Sequence, residues 1–423
     1  MRKYSLDTIT VIDRRVFPTP QSSLHLDFDG SACKRLITRA FIQSEVVSLI
    51  GEIFTSQDEV KMIGYLLGDD AQTFIDIMDE ALDRTDLPPR LRRKCLSALC
   101  KICGRHALLP RSLKIPLCYD RQGTALYHGG YADVWKGEYR GLQVAVKVLR
   151  VYSTSDFEKI TSRFCKEVVT WKILHHPNVL PLLGVTMDNN LSLFAMTSEW
   201  MKNGNIIEFI RAHQDANRFE LLKDVAKGLI YMHSQAMIHG DLKGANILIN
   251  QGGHACLADF GLLTVVSDPT NPTASSSSVK GGTTRWMSPE LLDPDQYGIR
   301  DSRPTKESDA YALGMVILEV LSGRCPFSQF RDVVVMRMVL DGIRPERPNG
   351  PEGVWFTDDL WRLLASCWES QRERRPTIEA ILEFLEHISG AWQPPAPQVD
   401  EDVEMGEDDW DLTTVSDSSG MIS

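Results

Sequence analysis

Residues 239–246 read His-Gly-Asp-Leu-Lys-Gly-Ala-Asn, and thirteen positions beyond Asn246 stands Asp259-Phe260-Gly261. Charged residues upstream fall into equally ordered surroundings. In Val144-Ala145-Val146-Lys147-Val148-Leu149 a strand puts Ala145, Lys147 and Leu149 on one face and the three valines on the other, so Lys147 is not a solvated edge residue by default. Next, Phe157, Ile160, Phe164, Val168, Trp171 and Leu174 recur near helical spacing, with Ser155 and Glu158 placed for a capping box. Glu167 lies three residues after Phe164 and four before Trp171, on or beside the packed face, where a carboxylate is costly unless paired. Lys147 is its natural partner. Alone, either residue reads equally well as a structural charge.

The bulk composition is that of an ordinary globular chain: 423 residues, 43% of them hydrophobic, enough for two or three domains. The net charge of -11 belongs to one end. Residues 393–423 hold nine Asp or Glu and no Lys or Arg, leaving 46 basic against 48 acidic residues elsewhere, and no nucleic-acid partner is expected. No apolar run reaches the length of a membrane span and the N-terminus does not resemble a signal peptide, so a cytoplasmic location is expected. Nine cysteines, an odd number, do not make a secreted disulfide framework. Cys100 and Cys103 form a CxxC with Cys95 and His106 nearby, a zinc pattern. Against it, Leu91, Cys95, Leu99, Ile102 and Cys103 read as one apolar helix face ended by Gly104.

Four regions follow from the patterning. Residues 1–33 are expected to be poorly ordered. Residues 34–121 read as three or four helices and a linker, with Ser56 and Glu59 as a capping box and Pro88-Pro89 opening the last helix. Docking of a protein partner, autoinhibition and a packing extension are all open as roles for this module. Residues 122–392 begin with strand alternation and turn helical after 203, an α+β, two-lobed arrangement. Residues 393–423, rich in acid and proline, cannot offset ordering entropy by burial and are expected to be a disordered tail, whose Thr413, Thr414, Ser416, Ser418 and Ser419 could accept phosphate.

The ordered series Lys147, Glu167, Asp241, Asn246, Asp259 and Ser288-Pro289-Glu290 resembles the eukaryotic protein kinases over roughly residues 122–390. CWESQRERRPT and GTTRWMSPE look most like the tyrosine-kinase-like group, and GGYADVWKG before HGDLKGAN resembles fungal members. The resemblance implies the bilobal protein-kinase fold, ATP and magnesium as cofactors, and a protein substrate. It implies that Lys147, held by Glu167, binds the α and β phosphates. Asp241 would orient the substrate hydroxyl and take its proton, Asn246 and Asp259 would hold magnesium, and Lys243 would neutralise the moving γ-phosphoryl group. Asp309 matches the aspartate that anchors the catalytic loop, and Glu290 with Arg375 matches a buried ion pair. Lys243 and Thr283 match serine/threonine kinases. Val134 and Ala145 would cover the adenine, the backbone of Glu199 and Met201 would bond its edge, and Ser198 would be a small gatekeeper.

Two departures qualify this. Of the three family glycines of the phosphate loop, Tyr127 and Ala132 replace two, and only Gly129 remains, with Gly130 beside it. Gly240 stands where most kinases have the arginine that pairs with an activation-segment phosphate, so no charge-assisted clamp can form from that position and activity is expected not to depend strongly on phosphorylation of Thr270, Thr273 or Ser275 to Ser278. The competing expectation is a kinase-like scaffold or binding module with weak or no turnover.

Overall fold

The structure, a computed structural model, describes residues 32–39, 43–116, 119, 124–128, 132–150, 157–188, 193–259, 264–265, 283–299, 303–349 and 351–389. Gly129, Gly130, Ser155, Phe260, Gly261, Thr270, Thr273, Ser275 to Ser278, the acidic tail and all but two residues of 1–33 lie outside these ranges.

Five helices come first: α1 (Ala32–Arg39), α2 (Gln43–Thr55), α3 (Gln57–Ile63), α4 (Gly68–Asp83) and α5 (Pro89–His106). The fifth exceeds the expected three or four because α2 and α3 are separated only by Ser56, whose hydroxyl caps α3 by accepting from the Glu59 N–H at 3.3 Å. The expected box is half formed. Glu59 turns its carboxylate instead to the Ala32 and Cys33 N–H groups at 2.6 and 3.1 Å, capping α1. Pro89 opens α5 as its fixed φ allows, but Gly104 does not end it; the helix runs on to His106 and stops at Ala107 in the left-handed region. Gly104 serves close approach. A Cβ there would meet the Ser162 hydroxyl at 2.8 Å.

An antiparallel five-stranded sheet follows, from β1 (Tyr127–His128), β2 (Ala132–Tyr139), β3 (Leu142–Leu149), β4 (Leu182–Asp188) and β5 (Leu193–Glu199), in the order β1-β2-β3-β5-β4. Between β3 and β4 runs α6 (Phe157–Lys172), the helix that carries Glu167. Val144 and Val146 are buried with Ala195, while Lys147 points to the other face, as the alternation requires. The helical lobe contains α7 (Ile206–Ala212), α8 (Arg218–Ser234), β6 (Met237–Ile238), β7 (Ile247–Ile249), β8 (Ala255–Leu257), β9 (Thr264–Val265), α9 (Pro289–Leu292), α10 (Lys306–Ser322), α11 (Asp332–Leu340), α12 (Asp358–Cys367) and α13 (Ile378–Ser389). Every residue of α10 from Ser308 to Leu321 is buried, so this helix is the axis of the lobe. Arg375 forks onto Glu290 at 2.6 and 2.7 Å, both side chains almost wholly buried, and joins α9 to the late helices.

The helical module packs on the sheet lobe through α5 and α6. Cys100 and Thr170 meet across that seam, and the linker joins β4 where the Ile115 N–H donates to the Val185 carbonyl at 2.9 Å. At the end of α6, Lys172 donates to Asp79 at 2.9 Å and Asp83 at 2.8 Å. Burial pulls the Lys172 pKa down and the two carboxylates outweigh it, so the ammonium is held charged. Lys172→Ala is expected to destabilise the chain by about 2–4 kcal/mol, because buried Asp79 then keeps only the Ser112 hydroxyl as a donor. Urea unfolding measures this, and Asp79→Asn on that background should recover part of the loss.

Candidate active site

The site hangs on the first turn of α10. Thr305 and Ser308 close a capping box there, which leaves Asp309 aimed inward. Asp309 is 1% exposed and accepts three bonds: from the His239 N–H at 3.0 Å, the Gly240 N–H at 2.9 Å, and His233 Nε2 at 2.8 Å. Two consecutive backbone groups of the loop are thereby fixed. His239, itself fully buried, bonds through Nε2 to the Ala258 carbonyl at 3.2 Å and through Nδ1 to the Asp241 N–H at 3.3 Å, an arrangement that requires the proton on Nε2. It ties the approach of Asp241 to the strand leading into Asp259.

Beyond this anchor the loop makes a 3₁₀ turn over Gly244–Asn246. The Asn246 side-chain N–H group donates to the Asp241 carbonyl at 2.7 Å and to Asp241 Oδ2 at 3.1 Å. Lys243 Nζ donates to the Thr283 hydroxyl at 2.8 Å and lies 3.5 Å from Asp241 Oδ2. Asp241, Lys243, Asn246 and Thr283 therefore form one polar cluster. The Ala258 N–H donates to the Asn246 carbonyl at 2.9 Å and brings Asp259 alongside. Asp259 has φ +58, a left-handed conformation that a non-glycine residue adopts at a cost of order 1–3 kcal/mol and that concentrates at functional sites.

Lys147 meets Asp259, with Nζ to Oδ1 at 2.5 Å, and makes no ion pair with Glu167. The expected first partner acts only through its field. Desolvation lowers the Lys147 pKa, Asp259 and then Glu167 raise it further, and the net shift is upward. Around the lysine, β2 and β3 pair Val134 with Lys147, and β3 and β5 pair Ala145 with Ser198 and Val144 with Glu199. Ser198 and Met201 are buried, and the Met201 carbonyl accepts from the Gly204 N–H at 3.1 Å. Tyr127 and Ala132 are ordinary strand residues, paired with Val134 and Leu149. Gly240 has φ +74, so glycine there does more than lack an arginine: it takes a dihedral that a side chain would strain.

One site residue escaped the sequence reading. Glu319 on α10 is 5% exposed, and its Oε2 accepts from the Gly244 N–H and from Trp286 Nε1, each at 2.9 Å. It joins the catalytic-loop turn to the segment just past Thr283. Gly244 must be small for this, since a Cβ would stand 2.7 Å from Ile207 and 2.9 Å from Glu319. A solitary acid in the apolar run Ala-Leu-Gly-Met-Val-Ile-Leu-Glu was the available signal.

Burial raises the Glu319 pKa to about 7, against the two N–H donors and Lys243, which lower it. A carboxyl whose folded pKa is raised binds its proton more tightly in the folded state, so stability is greatest below the unfolded value and falls as pH rises from about 4.5 to about 7. Relative to Glu319→Gln, which keeps an acceptor and cannot ionise, the parent chain should lose on the order of 2–4 kcal/mol across that window. Urea midpoints at several pH values for both chains check this. Equal slopes would contradict it.

Residues 121–385 match the family of protein tyrosine and serine/threonine kinases. Among curated relatives, a probable serine/threonine-protein kinase of Dictyostelium discoideum is 32% identical over 62% of this chain and 15% of its own length. The serine/threonine-protein kinase STY46 of Arabidopsis thaliana is 29% identical over 65% of this chain and 45% of its own. The tyrosine-protein kinase SRK3 of Spongilla lacustris is 29% identical over 64% of this chain and 79% of its own. The chain thus spans less than half of the first two relatives, and the residues matched by the family, 121–385, contain the whole cluster around Asp241. With a family match covering more than half its length and a sheet lobe set on a helical lobe, the chain belongs to the eukaryotic protein kinases, in the tyrosine-kinase-like group.

Proposed function

We propose that this chain transfers the γ-phosphoryl group of ATP to serine or threonine hydroxyls of protein substrates. The observation that carries the reading is the bridge from Lys243 to both the Thr283 hydroxyl and Asp241 Oδ2, which sets a carboxylate and an ammonium side by side where a hydroxyl nucleophile would enter. Asp241 orients that hydroxyl and receives its proton; Lys243 offsets charge on the transferred group. Thr283 is the feature that favours serine and threonine over tyrosine.

The donors present fit magnesium. Asn246 uses its N–H group on Asp241, which leaves its carbonyl oxygen for a hard cation, and Asp259 supplies a carboxylate from the adjoining strand. Bound there, the ion would neutralise phosphate charge and fix the phosphate oxygens. Lys147 is held charged for the α and β phosphates, with Glu167 close enough to act on it electrostatically. Val134 and Ala145 would cover the adenine with Ser198 as a small gatekeeper, Glu199 and Met201 would bond its edge through their backbone, and Gly129 and Gly130, outside the described residues, are the glycines assigned to the phosphates. No helix among the described residues is long and apolar enough to cross a membrane, and the eight described cysteines are free thiols, both consistent with a cytoplasmic signalling enzyme. The zinc reading of Cys95, Cys100, Cys103 and His106 gains no support, since no group of three or more His, Cys, Asp or Glu among the described residues could hold a metal.

A scaffold with little turnover is favoured by one specific observation: Lys147 is engaged by Asp259, the carboxylate assigned to the metal, and not by Glu167. Phosphate transfer from labelled ATP to a peptide library separates the two readings. Asp241→Asn is expected to lower kcat by about 10²–10⁴ while binding of ATP persists. Metal-dependent ATP binding with no transfer by the parent chain would establish the scaffold. Serine and threonine peptides should be labelled and tyrosine peptides not. Replacing Thr270, Thr273 and Ser275 to Ser278 together by alanine should leave turnover largely intact, because Gly240 offers no cation to a phosphate on that segment. Loss of turnover in a folded variant would overturn that expectation.

A further inference from the structure

Helix α5 carries six cations, Arg90, Arg92, Arg93, Lys94, Lys101 and Arg105, and no Asp or Glu. Arg92 folds back onto carbonyls at the end of α4. The other five are exposed and recur at spacings that place them along one face, opposite the buried Cys95, Leu99, Ile102 and Cys103. Five other cations of the module are neutralised in pairs: Lys34 with Asp70, Arg35 with Glu52, Lys61 with Asp58, Arg84 with Asp86 and Arg111 with Asp76. On α5, Lys94 and Arg105 reach only the neutral Phe54 and Gly64 carbonyls, and Arg90, Arg93, Lys94 and Arg105 form no ion pair with a described carboxylate.

This face works against the fold. Like charges at three- and four-residue spacing destabilise a helix by about 0.2–0.5 kcal/mol per pair. The first turn of α5 also lacks an acid and carries Arg90 near the positive end of the helix dipole. Packing needs only the opposite face. Among the described residues no carboxylate pairs with Arg90, Arg93, Lys94 or Arg105, and the chain holds a block of acids that could supply the counter-charge. Residues 400–411, Asp-Glu-Asp-Val-Glu-Met-Gly-Glu-Asp-Asp-Trp-Asp, carry eight of the nine acids of the tail and no cation.

We propose that the exposed face of α5 is the docking site of the chain's own acidic segment 400–411. The described chain ends at Ser389 on α13, so Asp400 is eleven residues on, a reach of about 35–40 Å, and Asp411 lies about 75 Å out at full extension. A domain of this size is roughly 45–50 Å across, so the segment spans from the helical lobe to α5. Tethering gives it an effective concentration in the millimolar range, which suits a contact built from many exposed, individually weak charge pairs. Trp410 adds an aromatic face for an arginine. The occupant is set by charge and reach and holds whichever reading of the catalytic site is correct.

Zero-length carbodiimide coupling of the full chain, followed by digestion and mass spectrometry, tests this by joining lysine amines to nearby carboxylates. Amide links from Lys94 and Lys101 to acids of 400–411 are expected in the monomeric species. They should fall about tenfold between 0.05 and 1 M salt, where the screening length shrinks to about 3 Å. They should also vanish when the eight acids are changed to Asn or Gln. Arg90→Glu with Arg93→Glu, both exposed, should remove the link to Lys101 without lowering the melting temperature. Tail links spread evenly over lysines elsewhere would overturn the proposal, as would links confined to dimers, which would assign the stripe to a second copy. Equal binding of phosphatidylserine vesicles by the parent and the tail-neutralised chain would also overturn it, because a docked tail must compete with the lipid.

Discussion

Asp309 is the constraint on which the rest of the site depends. A carboxylate that deep is costly unless its lone pairs are filled, and three donors fill them: two backbone N–H groups and one imidazole. The donors are consecutive residues of the catalytic loop and a histidine from α8, so satisfying Asp309 and shaping the loop are one event. Glu319 repeats the device ten residues further along the same helix, about 15 Å on, where it holds Gly244 and Trp286. Between the two carboxylates α10 is buried on all sides, which prevents either from shifting independently. A loop of irregular backbone is thus positioned by the most rigid element of the lobe.

That design explains which features were legible in the sequence. Asp241, Lys243, Asn246 and Asp259 lie close together along the chain, in two motifs whose resemblance to those of protein kinases placed them in one cluster. Asp309 and the Glu290–Arg375 fork were readable because each sits in a distinctive short string. Glu319 was not, because its partners are a backbone N–H and an indole 75 and 33 residues away, and nothing local marks it except an acid among apolar neighbours. The same limit applies in the module. Ser56 and Glu59 had the right spacing for a reciprocal box, yet Glu59 had two donors on α1 to choose instead, a competition visible only in three dimensions. At Gly104 the residue type was read as a stop signal, whereas the fold uses its small size against Ser162.

The partner of Lys147 belongs to the same class of question. Sequence spacing makes Glu167 its counter-charge, and the two are electrostatically coupled, but the contact is made by Asp259. Both carboxylates favour the charged lysine, so an exchange of contact between them changes little in its protonation. What it changes is the position of Asp259, which stands in a strained left-handed conformation and is also the carboxylate assigned to the metal. A cation held by Asn246 and Asp259 would compete with Lys147 for that carboxylate, and Glu167, whose field already acts on the lysine, would then be available to receive it.

Any such exchange is felt by the helical module. Glu167 lies on α6, and α6 is held from behind at two points: by α5 through the close approach of Gly104 to Ser162, and by α4 through the ion pairs of Lys172 with Asp79 and Asp83. Neither contact has slack, since Gly104 is already without a side chain and Asp79 is buried. Moving α6 far enough to close Glu167 onto Lys147 therefore either carries α5 along or breaks a buried charge pair. The position of α6 is for this reason a property of the helices packed behind it as much as of the sheet in front.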